Sequence, residues 1–110
     1  MIGTIRLGNK RAVSDFKPEA GEVLVNIDRP NILGNPFRVD EKTCRATAIL
    51  AFKIDLGREI KRRSGLRYDA ICEIVGHLLA GRDVILMCWC HPLDCHGRVI
   101  KEIVEQLVRG

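Results

Sequence analysis

At 110 residues, with 46% hydrophobic residues and a mean hydropathy of +0.01, the chain has the size and composition of one globular domain, which excludes a disordered polymer. No apolar run approaches the roughly 20 residues that span a bilayer, and the longest, Val84 to Cys90, has strand length. The formal charge of +4 admits acidic partners without requiring them, because ordinary solvated helix faces carry as much.

The opening MIGTIRLGNKR lacks the apolar block of a secretory signal, and Ile2 rather than Gly follows Met1, so neither export nor myristoylation is expected. The expected compartment is the cytoplasm. Five cysteines, an odd number, argue against a disulfide framework and for thiols, metal ligands or reactive sulfur.

In chain order, Ile2 to Leu7 and Val23 to Ile27 read as short strands, with Val23, Val25 and Ile27 on one face of the second. After the second strand, DRPNILGNPF carries two prolines and a Gly-Asn pair, which leaves a shaped loop. Asp40 is a candidate cap for a helix running to about Arg63, with Ile49, Phe52, Leu56 and Ile60 inward and Lys53, Arg58 and Arg62 outward. Ser64-Gly65 breaks the chain, and a second helix to about Ala80 buries Ile71, Ile74, Val75 and Leu78, with Gly81 just past its end. Val84 to Cys90 is apolar on both faces, hence a central strand. Cys95 to Arg109 is the final helix, with Val99, Ile100, Ile103, Val104 and Leu107 inward. This order predicts a compact, Rossmann-like layered α/β domain with a small, mostly parallel sheet. Cys44 and Cys72 are expected in the core, and His77 is read as an ordinary helix residue.

The chemistry concentrates in MCWCHPLDCHGR. Strand period places the Cys88 and Cys90 thiols on one face and Trp89 on the other, while Cys95 opens the last helix with His96, Gly97 and Arg98. Helix N-termini favour negative charge, so a thiolate at Cys95 gains from the position. Three readings compete. Cys88, Cys90 and Cys95 with His91 or His96 make a four-ligand zinc set. Alternatively, Cys90 or Cys95 is a nucleophile with His91 or His96 as base. In the plainest reading the cysteines are small buried hydrophobes and the histidines polar turn residues.

RPNILGNPF followed by ILMCWCHPLDCHGRVIKEI resembles a family of small phage and bacterial proteins catalogued as a domain of unknown function. Its marks are an Arg-containing LGNPF loop and a C-W-C-x-P-x-x-C-H-G turn, matched here by Arg29 and Leu33 to Phe37, and by Cys88, Trp89, Cys90, Pro92, Cys95, His96 and Gly97. Asp28 stands where relatives are expected to carry Gly. The family in turn resembles Rossmann-like nucleotide-binding domains.

The resemblance implies that the two motifs act together. If their strands are parallel neighbours, both loops open at one sheet edge and frame a pocket. Gly34 admits close backbone approach, Asn35 offers donors and an acceptor, Pro36 fixes the bend, and Arg29, Arg38 and Arg98 can clamp an anion. As plain structure, Phe37 would plug the core and the arginines would pair with Asp28, Asp40 or Asp94.

Arg58, Lys61, Arg62, Arg63 and Arg67 cluster where the long helix ends, and complementing its dipole is explanation enough. With one Trp, one Tyr and three Phe there is little for a nucleic-acid stacking platform, so direct nucleic-acid binding is a minor expectation. The leading expectation is a small intracellular protein that binds, and in an enzymatic version modifies, a nucleotide or nucleobase derivative. Cys90, Cys95 and His96 would act, with Arg29, Gly34, Asn35, Pro36, Phe37, Arg38, Gly97 and Arg98 as contacts. The alternative is an interaction module stabilised by zinc on Cys88, Cys90, Cys95 and His96, without catalysis. No membrane partner is expected.

Overall fold

A computed structural model describes residues 2–9, 21–29, 31–37, 44–88 and 95–110. Along the chain run β1 (Ile5–Asn9), β2 (Glu22–Asn26), α1 (Arg45–Arg62), α2 (Leu66–Leu79), β3 (Asp83–Cys88) and α3 (Gly97–Arg109). The described strands form one parallel sheet in the order β1-β3-β2, with Leu7 opposite Leu86 and Val25 also opposite Leu86. The expected layered α/β architecture with a parallel sheet is the observed one.

β3 is central, and Val84 through Cys88 are all buried, as a strand apolar on both faces requires. Val84, Leu86 and Cys88 face the core that the three helices complete with Phe52, Leu56, Ile71, Leu78, Ile100 and Val104. In β2, Val23 and Val25 pack against this core, followed by the fully buried Ile27, in the period-two pattern read from the sequence. Burial of this contiguous apolar surface is the main favourable term in folding.

Element boundaries differ where hydrogen bonds go elsewhere. The first strand begins at Ile5 and not Ile2, because Gly3 N–H donates to the Leu78 carbonyl at 2.8 Å and Thr4 N–H to Asp83 Oδ1 at 2.8 Å. α1 begins at Arg45 with Cys44 as the residue before it; the expected cap, Asp40, lies outside the described residues. α2 starts after Gly65, which has no side chain to cap it. Glu59 of α1 does so instead, accepting from Tyr68 N–H at 2.7 Å, and a Cβ on Gly65 would press on that carboxylate at 2.6 Å. Gly81 ends α2 at φ 85°, as expected of a residue past a helix C-terminus.

Three side chains depart from the sequence reading. Cys44 and Cys72 are exposed. Cys44 sits outside the helix proper, and Cys72 lies beside the Ile71–Ile74–Leu78 stripe, not on it. Leu107 is 41% exposed because the inward row of α3 runs through the buried Ile100 and Val104 to the partly buried Val108. The basic cluster also loses a member: Arg67 bonds Asp55 at 2.6 Å and Glu59 at 3.2 Å, which ties α2 back to α1. Lys61 and Arg62 occupy the last turn of α1, where cations complement the dipole. Among the described residues no helix is long and apolar enough to cross a membrane.

Phe52 is wholly buried and joins α1 to the start of α3. Phe52→Ala is expected to lower unfolding stability by about 3–5 kcal/mol, read from the urea midpoint at unchanged slope.

Candidate functional site

Both β2 and β3 deliver the chain to the carboxyl edge of the sheet, where Ile27 N–H donates to the Met87 carbonyl at 3.0 Å. A cleft of about 390 Å³ opens there, lined by Asp28, Arg29, Asn35, Phe37, Arg45, Ala48, Ile49, Cys88, Cys95 and His96. Its walls are the loop after β2, the first turn of α1 and the residues leading into α3.

The loop is built from local hydrogen bonds. Asn31 N–H donates to the Asp28 carbonyl at 2.9 Å, its side-chain amide donates to Asp28 Oδ1 at 2.9 Å, and Gly34 N–H donates to the Asn31 carbonyl at 2.8 Å. Gly34 is packed against backbone: a Cβ there would lie 3.0 Å from Arg29 Cα and from the Asn31 oxygen. Asn35 then turns both ends of its amide to structure. Its oxygen accepts Phe37 N–H at 2.9 Å and its nitrogen donates to the Ala48 carbonyl at 3.2 Å, bolting the loop to α1.

His96 ties the other wall to the same loop. Its Nε2 lies 2.7 Å from the Ile27 carbonyl, and since a carbonyl only accepts, Nε2 carries the proton. The ring also stands edge-on to Phe52, with centroids 5.0 Å apart and planes at 78°. Burial drives the imidazole pKa below its usual value, against the opposing pull of the Ile27 and Leu33 carbonyls, so His96 is neutral at physiological pH. The geometry makes it a positioning residue that joins the start of α3 to the loop.

Two sulfurs meet in the cleft floor. Cys88 Sγ lies 3.4 Å from Cys95 Sγ, and Gly97 N–H donates to Cys95 Sγ at 3.3 Å. Gly97 seats α3 closely, since a Cβ would stand 2.7 Å from Leu7 Cδ2 and 2.8 Å from Ile27 Cδ1. Of the expected zinc set, Cys88 and Cys95 converge, His96 directs Nε2 to Ile27, and Cys90 lies outside the described residues. Among the described residues no three His, Cys, Asp or Glu side chains are grouped to hold a metal.

Of the expected ligand contacts, Arg29, Asn35 and Phe37 line the cleft. Gly34 and Pro36 do not; they border a more open groove on the other side of the loop, with Asp55, Glu59 and Arg67. Arg98 is exposed, bonds Glu102 at 3.3 Å and is absent from the cleft lining, and Arg38 lies outside the described residues. Phe37 is 38% exposed, not a core plug. Sequence reasoning missed Asp28, Arg45, Ala48 and Ile49 as cleft residues; the last three reach the cleft only because α1 is placed beside the end of β3.

The match to known proteins spans residues 10–106, which include both cleft loops and all three helices nearly to the end of α3. The chain belongs to the family described as a domain of unknown function, DUF4326. The chain is also similar to an uncharacterized 12.4 kDa protein in the nrdA-td intergenic region of Enterobacteria phage T4, 37% identical over 100 residues, covering 90% of this chain and 81% of the phage protein. No solved structure gives a significant match. β1 precedes the span shared with the DUF4326 family, whereas every residue lining the cleft falls inside it.

Neutral His96 gives stability a pH dependence. With its native pKa below the ordinary value of about 6.5, its contribution is complete above that pH and is lost as pH falls through the native value. The urea midpoint is therefore expected to fall between pH 7.5 and 5, and His96→Gln should flatten this part of the decline.

Proposed function

We propose that the cleft binds a small anionic metabolite of the nucleotide class. The observation that carries this reading is the convergence on one cleft of Arg29, Arg45, the first turn of α1 and the residues leading into α3, at the carboxyl edge of a parallel sheet. Neither helix has an acidic residue in its first turn and neither N-cap side chain makes a cap bond, although the Gly97 N–H of α3 is taken by Cys95 Sγ. Backbone N–H groups and guanidinium groups there favour a phosphate. Phe37 at the rim offers an aromatic face to a base. The volume stands at the low end of the roughly 300–1,000 Å³ typical of small-molecule sites, which favours a mononucleotide over a dinucleotide.

A modifying reaction in this cleft would run through Cys95, whose sulfur lies in the floor with a backbone N–H upon it. Cys95→Ala would then abolish turnover with modest loss of binding. The approach of Cys88 to Cys95 favours a second reading, zinc held by these sulfurs with Cys90. Stoichiometric zinc whose removal unfolds the protein would select it over the first.

Calorimetric titration with nucleoside 5′-monophosphates, the matching nucleosides and inorganic phosphate tests the leading reading. At least one monophosphate is expected to bind with a stoichiometry of one and more tightly than its nucleoside. Arg29→Ala and Arg45→Ala should each weaken it by about tenfold or more, the loss of a charge-assisted hydrogen bond. Absence of binding across the panel, or affinity unchanged in both variants, would refute it.

A further inference from the structure

We propose that Cys88 and Cys95 form a two-electron thiol–disulfide couple that exchanges with small organic disulfides entering the cleft. The proposal rests on the cleft being a small-molecule site, but not on a nucleotide being its occupant. All four described cysteines are thiols, and only this pair is brought together: Cys44 is exposed just before α1 and Cys72 is exposed on α2, whereas the Cys88 and Cys95 sulfurs are 3.4 Å apart. That separation leaves a displacement little over an ångström to the roughly 2.05 Å of a bonded pair.

The two sulfurs are not equivalent. Cys95 Sγ accepts the Gly97 N–H at 3.3 Å and lies at the positive end of α3, so negative charge is stabilised on it. Cys88, at the end of β3 and in contact with Cys95, is placed to follow. Both line the cleft although their residues are 1% and 3% exposed, so access is by way of that opening and is limited to small reagents.

The exchange runs in two displacements. Cys95 thiolate attacks one sulfur of the disulfide, its S–S bond breaks, and half the reagent leaves as a thiolate, which takes up the proton that Cys88 releases. Cys88 thiolate then attacks Cys95 Sγ, forming the Cys88–Cys95 bond and expelling the other half, which takes its proton from solvent. Two electrons pass from protein to reagent, and one disulfide yields two thiols. A small dithiol runs the sequence in reverse.

The full chain, reduced and dialysed against chelator, is treated with hydroxyethyl disulfide and followed by intact mass and peptide mapping. The expected product has lost two hydrogen atoms, with the bond mapped between Cys88 and Cys95. Cys44→Ser, Cys72→Ser and Cys90→Ser should retain it. Cys88→Ser should stop at a mixed disulfide on Cys95, and Cys95→Ser should react at least tenfold more slowly. The proposal is overturned if the wild-type protein keeps all its thiols, bonds a different pair, or retains a stoichiometric metal through chelation that blocks oxidation. Mapping on the wild-type chain needs no variant to fold, and titration of the reduced protein with nucleotides reports separately on the ligand reading.

Discussion

The parallel ladder between β2 and β3 obliges both strands to leave the sheet at the same edge. Asn26 pairs with Met87, and the next bond, from Ile27 N–H to the Met87 carbonyl, holds the two exits side by side. Had these strands been antiparallel, the LGNPF loop and Cys88 at the end of β3 would sit at opposite ends of the sheet. The connection through α1 and α2 makes the parallel pairing feasible, and Glu59 and Arg67 hold those two helices in their mutual position. The cleft therefore depends on contacts at the far end of α1 as well as on its own lining.

Polar side chains near the cleft are used largely to fix its walls. Asn35 satisfies a loop N–H and a helix carbonyl, Asn31 folds the loop on Asp28, and His96 binds the loop to the start of α3. Among the described residues no buried side-chain nitrogen or oxygen lacks a partner. A buried, half-satisfied polar group costs about 1–3 kcal/mol, so this frame is stiff because each member is needed by another. The same lining carries Asp28, Arg29, Arg45, Phe37 and the sulfurs of Cys88 and Cys95.

The same loop shows how a single motif divides its residues. Arg29 borders both the cleft and the groove behind it; Asn35 and Phe37 face one, Gly34 and Pro36 the other. Gly34 serves by its missing side chain, since the Arg29 backbone occupies the space a Cβ would need. A motif read as one binding surface is thus a wall with two sides.

Pattern and composition alone determined the order of elements and the central place of β3, because apolar periodicity and Gly/Pro punctuation are local properties of the chain, whereas the joint opening of the two motifs waited on the parallel pairing of β2 with β3. Local reading also located the sulfur pair's two elements, the end of a strand and the start of a helix. It could not find Arg45 in the cleft, turn Arg98 toward Glu102, expose Cys44 and Cys72, or assign Glu59 as the cap of a helix that begins seven residues on. Those outcomes are set by how rigid helices pack across the sheet, and packing brings together side chains that no short window of sequence contains.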